Sequence, residues 1–452
     1  MAKRKITLIG SGLVGSLLSI YLARRGHEVR LFERRPDLRT NRISAGRSIN
    51  LALSDRGWRG LEGVGISDEI RKVALPMRGR MMHSVNGELT FQPYGKEGQA
   101  INSVSRGGLN CVLMDLAEKE GVKIHFEHRC TGLQLESATT EFEFNGSIIS
   151  VEADHVFATD GAFSAGRLQL MLGTDRFNYS QSYLEHGYKE LTIPPVNGEF
   201  AMDHQALHIW PRSSYMLIAL PNLDKSFTCT LFFPFEGDPS FNSLDTTEKG
   251  IAFFKKVFPD TIPLMPDLYD EFKNNPASSL VTVKCSPWNY KDKLLLVGDA
   301  AHAIVPFYGQ GMNCGFEDCV VLDALMDKYE GDWLNIFNTF SKTRKPDADA
   351  IAELAVSNFI EMRDRVGHPE FLLQKKIEAW FSEKHPDKWI PLYTMVTYSP
   401  HIRYSDAMRQ GRKQEDIMQK IMSRPGIAES WNSSAVEQQI LQLLQEKELQ
   451  FN

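Results

Sequence analysis

The sequence predicts an α/β protein: a Rossmann-like opening unit, a mostly antiparallel β-sheet domain, and a C-terminal helical segment. Three observations carry this. A strand, a glycine turn, a helix and a second strand fill the first 33 residues. β-rich segments punctuated by prolines run from Tyr183 to Phe235. Beyond Asn313 the pattern is helical almost to the end. With 452 residues, 42% apolar and 24% charged, the chain is neither disordered nor short of core material. The net charge of −6 and the lack of a sustained basic block argue against a nucleic-acid partner.

The first strand is Lys5 to Ile9. The next helix carries Leu13, Leu17, Tyr21 and Val14, Leu18, Leu22 at helical spacing, with Gly26 at the C-terminal cap position, and a second strand covers Glu28 to Phe32. Short strands follow at Val122 to Phe126, Gly132 to Leu135, Glu141 to Phe144, Ile148 to Val151 and His155 to Ala158. The sheet domain holds Ala206 to Trp210, Tyr215 to Leu220 and Phe227 to Phe233, and Lys293 to Val297 is a compact apolar strand. The helical region is expected to break at Pro346, Pro369, Pro386 and Pro400. Its last helix, Ala435 to Leu449, has a Gln/Glu-rich polar face, which favours docking on the body or on a second subunit over membrane attachment.

Three motifs point to a dinucleotide. Gly10-Ser-Gly12-Leu13-Val-Gly15 sits between strand and helix. Gly10 permits the tight turn, Gly12 a close approach of a pyrophosphate, and Gly15 close helix–strand packing, while the helix N-terminus favours phosphate. Glu33 ends the second strand 18 residues past Gly15, placed for ribose hydroxyls, which favours FAD or NAD over NADP at this site. Asp160-Gly161 follows a strand and, by itself, is an ordinary turn. Gly298-Asp299 and Pro306-Phe307-Tyr308-Gly309-Gln310-Gly311-Met312-Asn313 follow the last strand. Asp299 can accept from a sugar or polyol, and the glycines let backbone lie against a flat ring. Six cysteines form no C-x-x-C pair and lack partners at zinc spacing, so they read as reduced thiols and no metal site is expected.

In order and spacing the three motifs resemble the single-component flavin-dependent aromatic hydroxylases, the para-hydroxybenzoate hydroxylase-like family. Further stretches resemble the branch that hydroxylates kynurenine at its 3 position: Gly46 to Leu53, Met77-Arg-Gly-Arg-Met81, Gln92-Pro-Tyr-Gly95, His208-Ile-Trp-Pro211, Ala219 to Asp224, Val305 to Asn313 and Ile390 to Thr397. The resemblance implies FAD, NADPH and O₂, and hydroxylation of L-kynurenine to 3-hydroxykynurenine through a flavin C4a-hydroperoxide, a step of tryptophan catabolism and pyridine nucleotide biosynthesis. It places FAD on Gly10, Gly12, Leu13, Gly15, Glu33, Arg34, Arg106, Asp160, Gly161, Asp299, Gly311, Met312 and Asn313. The substrate falls on Arg80, Tyr94, Asn358 and Tyr393. Pro306 and Phe307 are positioning contacts beside the flavin. No catalytic acid or base is assigned, because the aniline activates its own ring; Tyr308 also stands where relatives often carry His.

The expected organisation is a discontinuous FAD domain (1–75, 101–180 and 291–345), a substrate domain (76–100 and 181–290) and a helical region (346–452) covering the kynurenine pocket. With no long apolar segment and a polar last helix, a cytoplasmic, bacterial-type enzyme without membrane anchor is expected, with a homodimer left open. Competing readings are a flavin hydroxylase of another aromatic acid, a flavin dehydrogenase that does not use O₂, and a non-catalytic flavoprotein.

Overall fold

The structure, a computed structural model, describes residues 2–40, 50–94, 98–362 and 368–449. Gly46 to Ile49 and Gly95, parts of two stretches named above, lie outside the described residues. The opening strand Lys5–Ile9 lies centrally in a six-stranded sheet. Glu28–Phe32 and then Lys123–His125 flank it on one side, His155–Ala158 and then Leu294–Leu296 on the other, all parallel. Asn289–Tyr290 adds an antiparallel edge. These strands are apolar on both faces because helices cover both. Helix Leu13–Arg24 buries Leu17, Leu18, Tyr21 and Leu22 in that core, and Gly26, at φ +84°, ends it.

The second layer is a seven-stranded sheet in the order 278–286, 178–193, 227–234, 215–221, 206–212, 79–83, 89–93. It is antiparallel except where Ala206–Arg212 pairs parallel with Gly79–His83. The early hairpin 79–93 is therefore an edge of a sheet otherwise built 100 residues or more later in the chain. One face of this sheet packs on the helices of residues 247–274. The other meets loop 306–309, the long helix Trp333–Ile360 and the short helix Leu392–Thr397 in a separate apolar core.

One expectation fails here. Helix Trp333–Ile360 runs on through Pro346. An interior proline forfeits one hydrogen bond and costs about 3 kcal/mol in an isolated helix. Here Arg344 and Asp347, on either side, are both fixed in buried ion pairs, so the turn is held from outside the helix. Pro369 instead opens helix Pro369–Lys384 at its first position, where no N–H is needed. The last helix, Ser434–Leu449, buries Val436, Ile440 and Leu443 against Phe381, Ile417 and Ile421, so it docks on its own chain. Among the described residues no helix is long and apolar enough to cross a membrane.

Candidate functional site

The glycine turn has the shape its sequence demands. Gly10 has φ +97°, and a Cβ there would meet the Asp160 backbone at 2.7 Å. A Cβ on Gly15 would lie 2.1 Å from the Gly10 carbonyl oxygen. A Cβ on Gly12, by contrast, would meet nothing within 4 Å. The turn is therefore tight on its protein side and open at Gly12, the side from which a pyrophosphate approaches. Glu33 is buried beside it. Its carboxylate accepts from the Ser11 N–H at 3.0 Å and from the Arg35 N–H and Nε at 3.0 and 2.8 Å. Burial pushes that carboxyl up, but the bonds to Arg35 and Ser11 outweigh it and hold it below its usual range. Arg35, not Arg34, makes this pair; Arg34 is exposed. Leu13 is half-buried at the first helical position.

Asp160 has a different task from the one its motif suggests. Its carboxylate accepts from Ser164 Oγ and from the N–H groups of Ala165 at 2.7 Å and Gly166 at 3.2 Å, capping helix Ala165–Leu172. Burial raises its pKa against those bonds. Its backbone, with Gly161 at φ +84°, still lies against the glycine turn. Arg167 ties this motif to the third by donating to the carbonyls of Ala162 at 2.6 Å and Ala300 at 2.8 Å.

Asp299 is reached by solvent yet walled in by protein, as a residue lining a cleft is. That enclosure raises its pKa, while Arg106 and His302 lower it, so Arg106, exposed at the start of helix Arg106–Lys119, faces the same cleft. Loop 306–309 then turns through Gly309 at φ +67° into helix Gly311–Tyr329. The N–H groups of Gly311, Met312 and Asn313 form its first turn and are left for a ligand. The Asn313 side chain is spent on structure: it donates to the Ala52 and Gly309 carbonyls at 2.8 and 2.7 Å and accepts from the Ser54 N–H at 2.9 Å.

On the far side of this loop stands an aromatic box. The hairpin puts Tyr94 beside Arg80, with Tyr94 N–H donating to the Arg78 carbonyl. Tyr393, on helix Leu392–Thr397, stacks on Tyr94 at 5.6 Å and on Tyr308 at 5.7 Å. The Arg80 guanidinium lies 4.7 Å from the Tyr393 ring centre and 5.5 Å from that of Tyr94. Arg80 Nε, Tyr94 OH and Tyr398 OH are all buried without a hydrogen-bond partner. Orphaned donors of this kind are costly unless a ligand meets them. Three segments distant in sequence thus converge, as the site assignment expects.

Asn358 and Phe307 hold the box's other wall. Asn358 Nδ2 donates to the Phe307 carbonyl at 2.7 Å, so its amide supports the loop. Phe307 stacks on Phe359 at 4.0 Å and tilts against Phe232 at 4.8 Å, beside Pro306. Tyr308 is buried, which pushes its phenol well above the ordinary value, with Tyr393 adding to the effect.

Sequence reasoning misses a cluster behind the loop. Arg56 bonds Glu317; Arg344 bonds Glu317, Asp318 and Asp347; and Asp318 bonds His302 at 2.6 Å. All are buried, and they lie on three helices separated by up to 291 residues, so no local spacing signals them. His302, Cys314 and Asp318 have ligand atoms within 4.8 Å of one another. A metal ion there would face the Arg344 guanidinium, 2.9 Å from Asp318 and 3.5 Å from Cys314 Sγ. The arrangement is instead an ion pair: burial disfavours charge on His302, but Asp318 overrides it and raises the pKa well above the usual value.

Residues 3–355 match a family model described as an FAD binding domain. The chain is 52% identical to the kynurenine 3-monooxygenase of Flavobacterium psychrophilum, over 98% of this chain and 99% of that protein. It is 47% identical to that of Dictyostelium discoideum (93% and 94% covered) and 45% to that of Sus scrofa (92% and 88%). Among solved structures, the tetrameric form of 2-methyl-3-hydroxypyridine-5-carboxylic acid oxygenase superposes with a TM-score of 0.68 at 20% identity, covering 82% of this chain and 95% of that one. PqsL of P. aeruginosa in complex with 2-aminobenzoylacetate gives 0.66 at 17% identity, covering 80% and 98%. At these identities the two structures bear on the fold alone.

Proposed function

The chain belongs to the kynurenine 3-monooxygenase family, and from that premise we propose how its residues divide the work of hydroxylating L-kynurenine to 3-hydroxykynurenine with FAD, NADPH and O₂. Bound FAD, reduced by NADPH, supplies the oxygen chemistry. The residues present fit it: the open face at Gly12, Glu33 at the ribose position, the cleft carboxylate of Asp299 and the free first turn at Gly311 to Asn313.

L-kynurenine brings a carboxylate, an amine and an aniline ring. The orphaned Arg80 Nε and Tyr94 OH supply two donors to its carboxylate, with Tyr398 OH a third polar group within the same box. The face of Tyr393 and the Phe307–Phe359 wall bound the apolar space beside it and keep water out. Asn358 fixes the loop through the Phe307 carbonyl rather than by facing the ring. The aniline nitrogen pushes electron density to the ring carbon ortho to it, so no side chain need remove a proton first. Tyr308, its phenol pushed up by burial, stays protonated and is no base at neutral pH. The protein's contribution is placement and dryness.

The observation that carries this reading is the set of unpartnered polar atoms gathered on Arg80, Tyr94 and Tyr398 in an otherwise satisfied aromatic box. The test is incubation of the purified yellow protein with L-kynurenine, NADPH and O₂. 3-Hydroxykynurenine is expected, formed with NADPH consumed one for one. NADPH oxidation without hydroxylated product from kynurenine, but with product from another aromatic acid, would move the site to a different substrate.

A further inference from the structure

We propose that Arg56 is a positioning residue for the kynurenine pocket: with Tyr404 it forms a buried strap that fixes the segment 392–402, bearing Tyr393 and Tyr398, to the loop that faces the flavin. The proposal rests on the substrate reading above.

Arg56 lies in the first turn of helix Asp55–Glu62 and is fully buried. A buried guanidinium survives only if its donors are met. Here Nε donates to the Val396 carbonyl at 2.7 Å, and Nη2 reaches the carbonyls of Met395 at 3.2 Å, Ser399 at 3.3 Å and Ile402. These oxygens belong to the end of helix Leu392–Thr397 and the turn after it. Helix ends leave such carbonyls without intrahelical partners, so Arg56 acts as an external cap for the short helix that carries Tyr393. Only six residues long, that helix has little stability of its own.

The other end of the strap reaches the flavin side. Arg56 Nη1 pairs with Glu317, and its guanidinium stacks 4.0 Å from the Tyr404 ring. Tyr404 OH donates to Gln310 Oε1 at 2.8 Å, and Gln310 precedes the first turn of helix Gly311–Tyr329. Glu317 also pairs with Arg344, which holds Asp318 and through it His302 and the Gly298 N–H. The cations Arg56, Arg344 and His302 balance the anions Glu317, Asp318 and Asp347. Both walls of the pocket thus hang on one charge-balanced cluster. A displacement of about 1 Å between reacting groups can lower a rate about 100-fold, so such a link governs how much reduced flavin ends in product and how much in hydrogen peroxide.

The experiment uses full-length FAD-loaded protein, with all rates expressed per bound flavin. Arg56→Lys keeps one charge but cannot span four carbonyls and Glu317. It is expected to raise KM for kynurenine about tenfold or more, raise peroxide released per NADPH, and speed hydrogen exchange of amides 392–402, with FAD content unchanged. Tyr404→Phe removes one oxygen from the flavin end and no volume. It is expected to raise the peroxide share about threefold with KM nearly unchanged. If Arg56→Lys yields no flavoprotein, the isosteric Tyr404→Phe decides alone. Wild-type KM, peroxide share and exchange in both variants, or in Tyr404→Phe alone in that case, would overturn the proposal. Failure of the wild-type protein to hydroxylate kynurenine would instead overturn the substrate reading, and exchange at 392–402 would still report on the strap.

Discussion

The glycine cradle and the aromatic box share loop 306–313 but are built on opposite plans. The cradle is backbone. Its turn, its acid and its helix start come from 33 contiguous residues, and Glu33 is already bonded to Ser11 and Arg35 before any ligand arrives. The box is side chains. Arg80 and Tyr94 come from a hairpin, Tyr308 from a loop, Tyr393 and Tyr398 from a helical region 300 residues later, and three of their polar atoms have no protein partner. A preorganised backbone site holds its shape without ligand, whereas a box with orphaned donors gains stability when a carboxylate fills it. Cofactor retention and substrate affinity are therefore separable by mutation.

The largest expected effect breaks the cradle alone. Gly15→Ala would place a methyl 2.1 Å from the Gly10 oxygen, and that neighbour is backbone, which cannot swing aside. The purified variant should be colourless, its absorbance near 450 nm lost, and added FAD should not restore it. Next in size, Arg80→Ala breaks the box alone. A charge-assisted bond contributes roughly 1.5–3 kcal/mol, so KM for kynurenine should rise about 10- to 150-fold while bound FAD is unchanged. If Arg80→Ala instead sheds flavin, the two sites are not independent.

The same contrast explains what could be read from the sequence. The cradle's signals are local: a strand, three glycines and an acid at fixed spacing. The structure adds that Arg35 rather than Arg34 serves Glu33, and that Asp160 caps its own helix, two choices between neighbours that no spacing decides. Arg80, Tyr94 and Tyr393 were reachable only through resemblance, because nothing in their own neighbourhoods sets them apart. Tyr398, Arg56 and Tyr404 carried no signal at all, since each matters only for what folding brings beside it. The helix through Pro346 has the same origin: local propensity favours a break, and the ion pairs of Arg344 and Asp347 override it.

Acid separates the two regions in a smaller way. Behind the strand that carries Arg80, His208 Nδ1 meets His83 Nε2 at 2.8 Å, and His83 meets Asp260 at 3.0 Å. Burial lowers the His208 pKa to about 4, with His83 adding to that and the Asp203 carbonyl opposing it. The unfolded chain then binds a proton between pH 6.5 and 4 that the folded chain does not, so stability falls as pH drops through that window. From pH 7 to 5 the loss is about 2 kcal/mol. Glu33, held low, has the same sign but acts only below its ordinary 4.5. Urea unfolding at pH 7 and pH 5 should show the loss in wild type and a smaller one in His208→Gln, with a cradle contribution entering only below pH 4.5.

The smallest expected effect falls where the two regions touch. Asn358 donates to the Phe307 carbonyl at 2.7 Å and to the Met362 sulfur at 3.3 Å, so it steadies the loop between flavin and substrate without belonging to either binding set. Asn358→Ala leaves that carbonyl short of one neutral hydrogen bond, about 1 kcal/mol. Flavin content should be unchanged and KM for kynurenine should rise less than about fivefold, while the peroxide share increases. A rise in KM matching that of Arg80→Ala would mean that the amide contacts the substrate itself, and the loop would then be a wall of the box rather than its hinge with the cradle.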